Sequence, residues 1–116
     1  MRENILKSKS YAFALRIVKM YKYLCSNKEY VLSKQVLRSG TAVGALVAES
    51  EFAQSKSDFV NKLSVALKEA NETVYWLRLL KDSDYLEGRI YESINLDGEE
   101  LIKLLVSSIK TAKGTR

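Results

Sequence analysis

The sequence predicts an all-α fold, specifically an antiparallel four-helix bundle whose helices run up, down, up and down. None of the 116 residues is proline, the residue that most strongly interrupts a helix. Apolar residues recur at steps of three and four in four successive segments, and no segment shows the alternation of a strand. Four amphipathic helices with short connections most simply form such a bundle, and the length corresponds to a single domain over residues 1–116.

The first two helices are predicted over residues 3–26 and 29–53. The apolar residues of the first share one helical face; they are Leu6, Phe13, Ile17, Met20 and Leu24. The polar run from Ser26 to Lys28 is typical of a turn. The second helix has an apolar stripe formed by Leu32, Val36, Val43 and Val47. Each helix therefore has one face to bury.

The third and fourth helices are predicted over residues 56–83 and 89–112. The third has the most regular stripe, formed by Phe59, Leu63, Ala66, Ala70, Thr73, Leu77 and Leu80. A second row beside it consists of Val60, Leu67 and Val74, which indicates burial against more than one neighbour. Ser55, followed three residues later by Asp58, is a start signal for this helix. The core side of the fourth helix comprises Ile94, Leu101, Leu105 and Ile109.

Small residues interrupt the second helix. Gly40 and Gly44 lie four residues apart, and each glycine in a helix interior costs about 1 kcal/mol relative to alanine. The spacing continues to Ala48, so the sequence predicts close packing of a neighbouring backbone against these three residues. A phosphate-binding loop is excluded because no Gly-Lys-Ser/Thr follows and no strand precedes.

Basic residues concentrate in the first half of the chain. Residues 1–58 carry 10 Lys and Arg against 5 Asp and Glu, whereas residues 59–116 carry 9 of each. Six bases of the first two helices form the predicted phosphate-binding surface: Lys9, Arg16, Lys19, Lys22, Lys34 and Arg38. Phosphate contacts give affinity for RNA or DNA without reading its sequence. The alternative is a solvated basic face without a ligand.

The composition argues against most catalytic sites. The chain has no histidine, which excludes Ser-His-Asp and Cys-His arrangements and the usual zinc and di-iron ligand sets. The remaining candidates for acid/base catalysis are Glu49, Glu69 and Glu72, and a salt-bridged surface is the alternative for them. We therefore expect no enzymatic activity, no metal and no cofactor. No uncharged stretch approaches the roughly 20 residues that span a bilayer, and no signal peptide is evident, so we expect a cytoplasmic protein.

Three segments carry a resemblance to a known family: SYAFALRIVKMYKYL, LSKQVLRSGTAVGALVAESEFAQSKSDFVNKLSVALKEANETVYWLRLL and EELIKLLVSSIKT. In them the chain resembles the bacterial four-helix bundles known as ribosomal-RNA intervening-sequence proteins, often encoded inside large-subunit ribosomal RNA genes. The most specific parts are RSGTAVGALVAE and the run from Phe59 to Leu77. The sequence departs from the family pattern at Leu46, where an asparagine is common, so no polar role is carried over to that position.

The resemblance implies a protein without enzymatic activity. It extends to accessory proteins of diversity-generating retroelements, similar bundles that form pentameric barrels with a basic surface and bind nucleic acid and a reverse transcriptase. It thus implies a homopentamer, an RNA or DNA ligand, and a reverse transcriptase or another nucleic-acid enzyme as partner. Gly40, Gly44 and Ala48 would then serve at subunit interfaces or inside the bundle. The alternative hypothesis is a protein-interaction scaffold without affinity for nucleic acid.

Overall fold

The computed structural model describes residues 2–114 and has four α-helices. They are α1 (Arg2–Ser26), α2 (Leu32–Ser50), α3 (Lys56–Asp82) and α4 (Gly88–Lys113). Each helix packs against its neighbours in the chain, and α1 also packs against α4, so the four close into a ring. This arrangement confirms the all-α, up-down four-helix bundle. Among the described residues, no helix is both long and apolar enough to span a membrane.

The core lies along the axis of the bundle and takes residues from all four helices. The predicted stripe of α1 is buried along its whole length, and in α3 six of the seven predicted residues are buried. Phe59 is only half-buried, because it lines a cavity at one end of the bundle. The second row of α3, formed by Val60, Leu67 and Val74, is also half-buried, and Val60 and Leu67 pack against the edge of the core.

The second helix is shorter than predicted because Glu29 caps it from outside. The backbone N–H of Glu29 donates to Leu24 O at 2.9 Å and closes the end of α1. Its buried carboxylate accepts hydrogen bonds from the backbone N–H groups of Val31, Leu32 and Ser33 at 3.1, 2.9 and 2.5 Å. Glu29 therefore satisfies the first N–H groups of α2, which begins at Leu32 and not at residue 29.

The glycines of α2 bring this helix close to α1. A Cβ atom at Gly44 would lie 3.2 Å from the carbonyl oxygen of Ser10, and one at Gly40 would lie 2.7 Å from Cγ1 of Ile17. Ala48, by contrast, is exposed. Each four-residue step turns about 40° around a helix, so Ala48 has rotated away from the contact that Gly40 makes. The predicted close packing therefore does not extend to Ala48 within one chain.

The connections define the two ends of the bundle. The α1–α2 end contains residues 27–31 and 83–87, and the opposite end contains residues 51–55. At the α1–α2 end, α1 and α3 each finish with a non-glycine residue in the left-handed region, Lys28 at φ 67° and Asp84 at φ 69°. Both helices stop there because the left-handed residue reverses the chain direction.

Candidate nucleic-acid interface

The six predicted phosphate-binding residues do not share one face. Lys9 pairs with Glu100 at 3.2 Å, and Arg16 pairs with Asp97 at 2.7 Å, so both lie on the seam between α1 and α4. Arg38 lies on the seam between α2 and α3. In the closed ring these seams are on opposite sides of the α1–α2 pair. The six residues therefore lie on more than one side of the bundle, and their binding of phosphate stays a prediction.

Arg38 is the centre of a polar network between α2 and α3. Its Nη1 atom donates to Glu69 Oε1 at 3.1 Å, and its Nη2 atom donates to Glu72 Oε2 at 2.5 Å. Trp76 Nε1 donates to the same Glu72 oxygen at 2.9 Å. The hydrogen bonds from Trp76 and Arg38 lower the pKa of Glu72, and the hydrogen bond to Glu72 raises the pKa of Arg38. Arg38 is thus committed to carboxylates of its own chain.

The three carboxylates considered for acid/base chemistry are held by cations. Glu69 and Glu72 share Arg38, whereas Glu49 lies 3.7 Å from Lys62 Nζ. The three carboxylates therefore do not converge on one cavity, as a catalytic pair would require. Within residues 2–114, no group of three or more Cys, Asp or Glu residues is arranged to hold a metal ion.

Four lysines at the α1–α2 end have no acidic partner within the described part of the chain, in contrast to Lys7, Lys9, Arg16 and Arg38. We call them the lysine cluster: Lys19, Lys22, Lys28 and Lys34. All four are exposed. Three belong to the predicted set, and Lys28 was missed because it lies in the turn and belongs to no helical face. The ammonium groups of the cluster are therefore available to an external anion.

The charge at this end is divided. The lysine cluster belongs to α1, α2 and the turn between them, whereas the α3–α4 connection brings acidic residues to this end. Those residues are Asp82, Asp84 and Glu87, and the bases Lys81 and Arg89 flank them. An anionic ligand is therefore attracted more strongly to the α1–α2 side than to the α3–α4 side.

A cavity of about 230 Å³ separates α1 from the start of α4 at the same end. We call it the end groove. Its residues are Arg16, Lys19, Met20, Tyr23, Leu86, Ile90 and Ile94. Met20, Leu86 and Ile94 are buried and form an apolar floor, whereas the residues Tyr23 and Ile90 are 47% and 42% exposed. The groove thus combines apolar surface with the unpaired Lys19.

A second cavity, of about 400 Å³, lies at the opposite end of the bundle. Its wall includes the ion pair between Lys7 and Glu51 and the buried residue Ser108. The hydroxyl oxygen of Ser108 has no hydrogen-bond partner in the described part of the chain. No base of the lysine cluster lines this cavity, so it is separate from the candidate interface.

The comparisons with known proteins assign the family. The model of the 23S rRNA-intervening sequence protein family matches residues 2–107, which is most of the chain. The chain belongs to this family. The lysine cluster, the Arg38 network and the end groove therefore all lie within the portion that the family model covers.

A solved structure has nearly the same fold as this chain. It is the crystal structure of a protein of unknown function from the S23 ribosomal protein family of Bacteroides thetaiotaomicron. It is 57% identical to this chain with a TM-score of 0.93, and the match covers 95% of this chain and 99% of the other. Among curated proteins, no relative matches the chain.

Proposed function

We propose that this member of the intervening-sequence protein family is a non-enzymatic accessory protein that binds the phosphate backbone of RNA or DNA. The observation that carries the proposal is the lysine cluster. Its four ammonium groups are exposed at one end of the bundle without an acidic partner among the described residues. Binding to phosphates would release counterions from the nucleic acid and give affinity without sequence specificity.

We propose a revised set of phosphate-binding residues. Lys19, Lys22 and Lys34 remain, and Lys28 joins them. Lys9, Arg16 and Arg38 instead position neighbouring helices through their ion pairs. A nucleic-acid contact by these three would compete with a carboxylate of the same chain, so we assign the binding to the lysine cluster.

The proposed assembly is a homo-oligomer, a pentamer by resemblance, that works with a reverse transcriptase or another nucleic-acid enzyme. Large apolar side chains on the surface support an association with further chains. Leu15 is 56% exposed, Leu96 is 69% exposed and Phe52 is 83% exposed. A subunit interface would cover such residues, and the exposed Ala48 would allow a close approach there.

Binding to labelled structured RNA and duplex DNA over a salt series tests the proposal, with the mass in solution measured in parallel. The logarithm of the binding constant should fall linearly with the logarithm of salt concentration. The test variant combines Lys19→Gln, Lys22→Gln and Lys34→Gln, which should lower the salt slope by up to about 3, one for each lost phosphate contact. Glutamine preserves helix propensity, so the bundle should remain folded.

The matched control combines Lys103→Gln, Lys110→Gln and Lys113→Gln on α4, which removes the same charge from exposed positions. It should retain most of the affinity. Equal weakening by both variants would mean that net charge alone drives binding and that the lysine cluster is not a site. Absence of binding at low salt would overturn the nucleic-acid function and favour the scaffold hypothesis, for which the exposed apolar residues would be the contact surface.

A further inference from the structure

We propose that the end groove receives an unpaired nucleobase, so that the ligand of the lysine cluster is single-stranded and not duplex nucleic acid. This inference rests on the proposed nucleic-acid function and adds the form of the ligand. It combines two features that lie side by side on α1. One is an apolar groove with an aromatic side chain at its mouth, and the other is a lysine without an acidic partner in the described chain.

The groove offers a stacking surface. The ring of Tyr23 is about half exposed, and the side chain of Ile90 on α4 faces the same space. Stacking of a base on an aromatic side chain is tolerant of sequence because every base has a flat π-face. The buried floor formed by Met20, Leu86 and Ile94 excludes water from the bottom of the groove. A planar, uncharged base therefore suits this space better than a phosphate.

The charged residues around the groove favour one orientation of the nucleic-acid strand. Lys19 is four residues before Tyr23, so their side chains are neighbours on the surface of α1. Arg16 also lines the groove, but Asp97 at 2.7 Å neutralises its charge. On the opposite wall, the N-cap residue Glu87 and the nearby Arg89 carry opposite charges that offset each other. The backbone of the strand should therefore follow α1, with a phosphate at Lys19 and the base directed toward α4.

Duplex nucleic acid cannot use the groove in this way. Its bases are stacked and paired, and removing one from the stack costs a few kcal/mol. A duplex would contact only the lysine cluster, whereas a single strand would gain stacking in addition. The structure therefore predicts that removal of the aromatic ring weakens single-strand binding selectively.

The test compares a labelled single-stranded RNA of about ten nucleotides with the blunt duplex of the same sequence at one salt concentration. Tyr23→Leu should weaken single-strand binding about fivefold or more and leave duplex binding unchanged. Tyr23→Phe should bind like the original protein because it keeps the ring. Ile90→Gln, on the facing wall at a partly exposed position, removes apolar surface without adding charge and should give the same selective loss. Tyr75→Leu is the control, because Tyr75 is 59% exposed on α3 and does not line the groove.

The outcomes separate this inference from the proposed function. If the lysine variant loses affinity for both ligands while Tyr23→Leu changes neither, the interface stands and the base site is rejected. An equal loss of single-strand and duplex binding in Tyr23→Leu also rejects the base site. If the original protein binds neither ligand, both proposals fail. Thermal unfolding followed by circular dichroism verifies that each variant is folded.

Discussion

Arg38 Nη2 on α2 donates a hydrogen bond to Glu72 Oε2 on α3 at 2.5 Å, and the other nitrogen of the same guanidinium reaches Glu69 at 3.1 Å. The planar fork of arginine suits such a double contact, and lysine could not reproduce it. Trp76 donates to the second carboxylate and fixes its orientation. The network therefore locks the relative position of α2 and α3 along their axes.

Replacement of Arg38 by glutamine should lower the free energy of unfolding by about 1 kcal/mol. The substitution leaves Glu69 and Glu72 side by side without a cation, so their mutual repulsion adds to the lost hydrogen bonds. Urea denaturation measures the effect. Arg78→Gln is the control, because Arg78 makes only an exposed ion pair with Asp82 at 3.8 Å and its loss should change stability little. A similar effect in both variants would contradict the structural role of the network.

The protein should lose stability in acid, because protonation of Glu29 removes a charge that stabilises the folded state. Burial alone would raise the pKa of Glu29, but the backbone N–H groups of Leu32, Ser33 and Val31 outweigh burial and lower it below its ordinary value of 4.5. The folded state thus binds this proton less readily than the unfolded chain. The stabilisation by the carboxylate is complete above pH 4.5 and is lost as the pH falls through the lower pKa of the folded state.

Glu29→Gln should lower the free energy of unfolding by about 1 kcal/mol at neutral pH, because the amide is a weaker cap than the carboxylate. The difference from the original protein should shrink as the pH falls below 4.5. Chemical denaturation at a series of pH values measures both effects. Glu92→Gln changes an exposed residue of α4 and serves as the control. A constant difference at all pH values would show that Glu29 does not act through its charge.

Gly40→Ala should destabilise the bundle by about 1–3 kcal/mol. The new Cβ would lie 2.7 Å from Cγ1 and 2.9 Å from Cγ2 of the fully buried Ile17, so the core or the helices must shift. This cost exceeds the gain in helix propensity of about 1 kcal/mol. Gly88→Ala is the matched control, since no atom lies within 4 Å of its added Cβ, and it should be neutral or stabilising. Thermal and urea unfolding compare the two, and a stabilised Gly40→Ala variant would contradict the close packing.

Lys28→Gly should stabilise the protein by about 1 kcal/mol. Lys28 has a φ of 67°, a conformation that is unfavourable for a residue with a Cβ atom and readily adopted by glycine. Lys28→Ala removes the same charge but keeps the unfavourable conformation, and it should not stabilise. The difference between the two variants in urea denaturation isolates the backbone effect. The same pair, used in the binding experiment, shows whether Lys28 contributes to the lysine cluster. Equal stability of the two variants would be evidence against the left-handed conformation.

The fold was predictable because the apolar spacing specifies which face of each helix is buried. The stripe from Leu6 to Leu24 and the stripe from Leu63 to Leu80 are both in the core. The predicted start of α3 is confirmed, since Ser55 Oγ accepts a hydrogen bond from Asp58 N at 3.0 Å. These features depend on residues a few positions apart, which periodicity can show.

The candidate site was less predictable because its ion pairs join distant residues. Arg16 and Asp97 are 81 positions apart, and Arg38 and Glu69 are 31 apart. Which acid faces which base depends on how far each helix is shifted along its neighbour, and the spacing of apolar residues does not specify that shift. The sequence therefore placed Arg16 and Arg38 on one surface with Lys19, whereas the structure separates them.

The contacts of Glu29 in the turn between α1 and α2 affect how these two helix ends unfold locally. Because Glu29 closes α1 with its backbone and caps α2 with its side chain, the opening of the two helix termini is coupled. Breaking the contacts of this one residue releases the last turn of α1 and the first turn of α2 together. Amide hydrogen exchange at Glu29, Leu32 and Ser33 should consequently report a single shared opening event.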